Sequence, residues 1–169
     1  LEYNDVDALI ERLAAEDVAA VLIDSVMTNC GLVPPTPEFV EALNTHVRDS
    51  GALLIVDETH VQFAVHGGGT AVYGYTPDLL TGGKGIGGGI PIGVIGMSDE
   101  VAAVLTAHRG GDPGLVDTGD VESLAVGGTL YANALSLAAA RAGLAEIFTV
   151  DASARVDRLG ARLQQEIGR

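Results

Sequence analysis

Apolar and polar positions follow two rhythms in the first third of the chain. Within residues 5–16, Val6, Leu9, Ile10 and Leu13 recur at helical spacing, and the stretch predicts an amphipathic helix. Residues 18–24 (VAAVLID) form a short, nearly continuous apolar run, as expected of a parallel strand buried on both faces. Residues 25–35 read as a loop punctuated by Gly31, Pro34 and Pro35. Thr36 and Pro37 then mark a second helix, Thr36 as N-cap and Pro37 in the first helical position, ending near Ser50 and Gly51. Residues 52–57 (ALLIVD) repeat the buried-strand pattern. A strand–helix–strand unit predicts a right-handed crossover in a parallel sheet. The fold class is therefore α/β, with a central, mostly parallel sheet flanked by helices.

Beyond Asp57 the rhythm loosens. Residues 79–81 and 90–97 predict short strands, and residues 99–108 a helix. Residues 109–122 are polar, glycine-rich and aperiodic, and predict a mobile loop. Residues 133–148 form an Ala/Leu-rich helix, apolar on most faces and so expected to be largely buried. Residues 152–167 predict a final amphipathic helix carrying Val156, Leu159, Leu163 and Ile167. The change of character near residues 149–151 is the one expected domain boundary.

Composition narrows the function. The chain has 169 residues, 23 acidic against nine Lys and Arg, for a net charge of −14. That balance argues against nucleic acid, whose phosphates are bound by cations, and against an anionic membrane surface. The longest apolar runs are about six residues, far short of the roughly 20 that span a bilayer. The first residues show no apolar leader segment, and Cys30 is the only cysteine, which fits a reducing cytoplasm and makes a thiolate metal site improbable. Cys30 is expected to be a small buried apolar residue.

Two local features point to chemistry. Eighteen of the 23 glycines lie between Gly67 and Gly128, and the only lysine, Lys84, sits in the densest cluster, Gly82-Gly83-Lys84-Gly85-Ile86-Gly87-Gly88-Gly89. Gly83, Gly85 and Gly88 match a dinucleotide-binding spacing, but Gly89-Ile90-Pro91-Ile92-Gly93 follows where that motif needs a helix. Nor is this a phosphate-binding P-loop, because Gly85 rather than Ser or Thr follows Lys84. Asp57 closes a strand, where α/β proteins place ligands. A strand-end carboxylate with a lysine among glycines suggests a Schiff base with pyridoxal phosphate and a carboxylate on the pyridinium nitrogen.

The residues Val56-Asp57-Glu58-Thr59-His60, Gly67-Gly68, Tyr73-Gly74-Tyr75-Thr76-Pro77-Asp78 and Gly83-Lys84-Gly85-Ile86-Gly87-Gly88-Gly89-Ile90-Pro91-Ile92-Gly93 resemble class III pyridoxal-phosphate aminotransferases, most of all the glutamate-1-semialdehyde aminomutase-like branch. Asp24-Ser25-Val26-Met27-Thr28-Asn29-Cys30-Gly31, Gly128-Thr129-Leu130-Tyr131-Ala132-Asn133 and Arg158-Leu159-Gly160-Ala161-Arg162-Leu163 extend the resemblance over nearly the whole chain. It implies the large domain of the type I pyridoxal-phosphate fold over residues 1–150 and the start of a C-terminal small domain over residues 151–169. By the same resemblance Lys84 would bind pyridoxal 5′-phosphate covalently, and Asp57 would hold the ring nitrogen protonated. Thr59 would pack on one ring face, and Asn29 would lie near the phenolic oxygen. Gly128 and Thr129 would contact the cofactor phosphate of a partner subunit, giving a homodimer with shared sites.

The implied activity is transfer of an amino group between a small-molecule amino donor and a keto acid or aldehyde. A 1,2-aminomutase or amino-acid racemase is the alternative, and a non-catalytic scaffold the second. Asp24-Ser25 stands where the family has Glu-Pro, and Thr59-His60 replaces the common Val-Met or Val-Gln. His60 is either a polar site group or a structural residue, His66 and His108 are expected in loops, and Tyr73 and Tyr75 in packing. The chain is shorter than the family's members and reads as an internal piece of a larger enzyme, inactive by itself.

Overall fold

The computed structural model describes residues 1–107 and 127–168. Four strands, β1 (Ala20–Asp24), β2 (Leu53–Asp57), β3 (Leu79–Gly82) and β4 (Val94–Met97), form one sheet in that order. β1, β2 and β3 run parallel, and β4 returns antiparallel to β3. The register aligns Asp24 with Asp57 and Asp57 with Thr81, so the carboxyl ends of three neighbouring strands converge.

The helices start where their caps dictate. In α1 (Val6–Leu13) the Asp5 side chain accepts the Ala8 N–H. In α2 (Pro37–Ala42) Thr36 accepts the Phe39 N–H ahead of the proline, and the helix then widens into a π-helical turn, Leu43–Val47. A short α3 (Gly68–Tyr73), then α4 (Asp99–Ala107), α5 (Ala134–Ala142) and α6 (Val150–Ile167) follow. Leu9 and Leu13 of α1, Phe39, Val40, Leu43 and Val47 of the α2 segment, and Leu54 and Val56 of β2 build the core, with Tyr75 closing it.

Several expectations change. β1 and β2 are not buried on both faces among the described residues. Leu22 is 66 % and Leu53 38 % exposed, while Leu54 and Val56 on the opposite face are buried. A continuous apolar run suits a strand to two covering layers, and here only the layer of α1 and α2 packs. α5 is mostly exposed, with Leu135 and Leu137 at the surface and Ala140 alone buried, because only one of its sides meets the turn around Ile86. Cys30 is exposed rather than buried, since it sits in a surface turn, Thr28–Cys30. The strand expected over residues 90–97 begins only at Val94. Residues ahead of it form a turn in which the Ile90 N–H donates to the Gly87 carbonyl, and Pro91 has no N–H for a ladder. His108 and the expected loop over 109–122 lie outside the described residues. Among those described, no helix is long and apolar enough to cross a membrane.

Candidate active site

Asp57 is the last residue of β2, half-buried beside Thr81 of β3. Its Oδ1 accepts the Thr59 N–H at 2.8 Å. Burial pushes its carboxyl pKa up, but hydrogen bonds from the side chain and backbone of Thr59 and from the Thr81 hydroxyl outweigh it. With the Lys84 charge they hold the group below the usual carboxylate range. Asp57 is thus a fixed anion at neutral pH.

Lys84 follows β3 and opens a 3₁₀ turn, Lys84–Gly87. Its side chain is exposed, close enough for its charge to act on Asp57. Its backbone is left-handed, φ +47°, a conformation that costs a non-glycine residue roughly 1–2 kcal/mol. Such strain persists where the surroundings impose it, and it concentrates at functional sites. Neighbouring glycines admit those surroundings. A Cβ on Gly85 would stand 2.9 Å from the Phe63 ring, and one on Gly83 would stand 3.2 Å from the Ile92 carbonyl oxygen.

Thr59 stands between the two residues, its N–H on Asp57 and its methyl facing Gly83. Asn29 lies exposed in the turn after β1, and the Thr28–His60 side-chain hydrogen bond (2.6 Å) ties that turn to the segment after Asp57. Asp57, Thr59 and Lys84 are therefore gathered at one edge of the sheet, where its strands end, while Asn29 is tied to this edge only through its neighbour Thr28. His60 is exposed at this edge rather than packed beside the buried strand. Gly128 and Thr129 are not gathered with them. They lie in an exposed turn, and no hydrogen bond among the described residues ties them to this group. α5 begins at Ala134, where the Asn133 side chain accepts the Leu135 and Ser136 N–H groups.

Three site-building residues escape a reading of the sequence. Glu58 is buried, its Oε2 accepting the Gly69 N–H at 3.1 Å and its Oε1 the Thr70 N–H and hydroxyl at 2.5 and 2.6 Å. It ties the segment after Asp57 to the start of α3. The Gly67-Gly68-Gly69 run was its signal, since a Cβ on Gly68 would stand 2.7 Å from that carboxylate. Gln62 donates to the Thr59 and Gly83 carbonyls at 3.1 and 2.6 Å. Phe63 stacks on Phe148. Neither of these two carries a local signal.

A fixed carboxylate at one strand end and an amine in a glycine-lined turn beyond the next are suited to a planar heteroaromatic carbonyl cofactor, the amine binding the carbonyl and the anion a protonated ring nitrogen. The α/β sheet with its site at the carboxyl strand ends is that of fold type I pyridoxal-phosphate enzymes. The family model "Aminotransferase class-III" matches residues 2–169. The chain is 36% identical over 168 residues to a glutamate-1-semialdehyde 2,1-aminomutase 2 from Brevibacillus brevis, covering 96% of this chain and 36% of that protein. It is 34% identical over 170 residues to a glutamate-1-semialdehyde 2,1-aminomutase from Methylacidiphilum infernorum, covering 99% and 36%. Among solved structures, a glutamate-1-semialdehyde aminomutase variant from Pseudomonas aeruginosa in complex with PMP superposes with a TM-score of 0.84 at 40% identity, over 99% of this chain and 36% of that one. A β-phenylalanine aminotransferase from Variovorax paradoxus gives 0.77 at 31%, over 90% and 33%. The chain belongs to the class III aminotransferase family, a pyridoxal-phosphate-dependent enzyme family. It spans about a third of the length of the curated relatives it matches.

Proposed function

We propose that the protein containing this chain is a pyridoxal-phosphate-dependent aminotransferase that moves an amino group between an amino compound and a keto acid or aldehyde. The observation that carries the reading is the pairing of Asp57, held as an anion, with Lys84 in its strained turn. Pyridoxal phosphate, when bound, supplies an electron-withdrawing ring that takes up the electron pair released at the substrate carbon. Lys84 would hold the cofactor through Nζ and, when free of it, would move a proton at the substrate carbon as general base and acid. Asp57 keeps a proton on the ring nitrogen through its negative charge. Thr59 would pack against one ring face, and Asn29 would lie near the phenolic oxygen. Residues 1–150 are read as part of the large domain and 151–169 as the opening of the small one. We assign Gly128 and Thr129 to a partner subunit's cofactor phosphate on the family resemblance of Gly128-Thr129-Leu130-Tyr131-Ala132-Asn133.

A second reading, a 1,2-aminomutase, is favoured by the curated relatives, which carry that name. The same residues serve both reactions. Borohydride reduction of the full-length holoenzyme followed by peptide mapping tests the shared part, with the label expected on Lys84. A label on another residue, or none with cofactor bound, overturns it. Product formation that requires a keto acceptor marks transfer. Conversion of one substrate without an acceptor marks isomerisation.

A further inference from the structure

Residues 62 and 63, adjacent in the chain, meet the turn on either side of Lys84. The Gln62 side-chain amide donates to the Gly83 carbonyl at 2.6 Å and to the Thr59 carbonyl at 3.1 Å. Its Oε1 lies only 2.4 Å from where a Cβ on Gly82 would stand, so that glycine leaves room for the amide. Phe63 rests on Gly85, the residue after the lysine. Gln62 is itself anchored, its backbone N–H donating to the Glu58 carbonyl at 2.9 Å. Glu58 in turn is fixed to the start of α3. A chain of contacts thus runs from the buried carboxylate to the backbone immediately ahead of Lys84.

We propose that Gln62 is a positioning residue for Lys84: its amide clamps the Gly83 carbonyl to the Thr59 carbonyl and keeps the lysine in its left-handed turn, aimed at the site that Asp57 and Thr59 border. A left-handed lysine relaxes unless neighbours over-determine its backbone. A side chain bonded to the peptide unit just before it does this directly. The proposal rests on the reading that Lys84 holds the cofactor, and two arms keep the two apart.

The first arm needs no cofactor. In the full-length cofactor-free protein, Gln62→Met removes both donors at similar size. Amide hydrogen exchange at Ile86 and Gly88, whose N–H groups bond the Gly83 and Gly85 carbonyls, is expected to speed up about tenfold. Exchange in β1 and β2 is expected to stay unchanged. Gln62→Glu, which keeps the shape and loses the donors, is expected to do the same, and melting curves identify any variant that has lost its fold. The second arm uses holoenzyme. With cofactor absorbance retained, circular dichroism in the cofactor band is expected to weaken, and kcat to fall about tenfold with KM little changed. Unchanged exchange at Ile86 and Gly88 in folded Gln62→Glu protein overturns the clamp. Faster exchange with unchanged dichroism and kcat overturns the positioning role. If borohydride maps the cofactor of the unmutated protein to another residue, the functional reading fails, and the exchange arm still decides whether Gln62 holds the turn.

Discussion

Phe63 and Phe148 stack with ring centroids 3.7 Å apart and planes inclined by 24°. The pair joins the segment after Asp57 to the residue that closes the π-helical turn Gly143–Ile147 after α5, across the turn that carries Lys84. Gly85 and Gly143 complete the junction: a Cβ on Gly85 would meet Phe63, and one on Gly143 would stand 2.7 Å from the Ile86 carbonyl oxygen. Both rings are half-buried, so the stack is worth about 0.5–1.5 kcal/mol beyond area burial. A double-mutant cycle with Phe63→Leu and Phe148→Leu, followed by chemical denaturation of the full-length protein, is expected to return a coupling of that order. Simple additivity of the two variants would show that the rings act independently.

Asp57 links the site to pH. Its folded-state pKa lies below the ordinary carboxylate value of about 3.9. It therefore contributes stability that is fully present above about pH 4 and is lost as pH falls through the folded value. The stability difference between the protein and Asp57→Asn is expected to stay constant from pH 7 down to about 4 and to shrink below it. Asp57→Asn is also expected to abolish turnover while retaining some cofactor, measured as kcat beside cofactor absorbance. Near-normal turnover would leave Asp57 with a structural role only.

Ser25 carries a cost. It is fully buried, and among the described residues its hydroxyl has no hydrogen-bond partner, although its carbonyl accepts bonds from Tyr3 and Tyr75 at 3.2 and 3.3 Å. A buried, unsatisfied hydroxyl costs roughly 1–3 kcal/mol. Ser25→Ala leaves both carbonyl bonds in place and is expected to raise stability by about 1 kcal/mol. A drop in melting temperature would show that the hydroxyl has a partner after all.

The assignment of Thr129 to a partner's site is tested by mixing. Lys84→Ala and Thr129→Ala proteins, each inactive alone, are expected to regain activity on subunit exchange, because one site of each heterodimer has both residues intact. Absence of recovery, with exchange verified by mass and both parents inactive, would remove the cross-subunit role.

What was legible in the sequence was local. The α2 start could be read because Thr36 and Pro37 act within one turn, and β2 because its apolar run ends sharply at Asp57. Lys84 stood out as the only lysine, among glycines. What was not legible depended on partners distant in the chain. Gln62 meets Gly83 across 21 positions, and no periodicity encodes that contact. The apolar sequence of α5 says that its faces suit burial, not what covers them, so Leu135 and Leu137 were expected inside and lie outside. The start of that helix was legible, because Asn133 caps it with a side chain that reaches two N–H groups of the first turn. Residue type alone puts Cys30 in the interior, but the turn it sits in places it at the surface.

The left-handed backbone at Lys84 sets heat resistance against reactivity. Glycine adopts that conformation without steric penalty, and asparagine tolerates it better than lysine does. Selection of random variants for survival on heating alone would therefore tend to replace the residue to which we assign the reactive amine. A search for hardier forms of this protein has to score chemistry at every round, or it will enrich inert molecules.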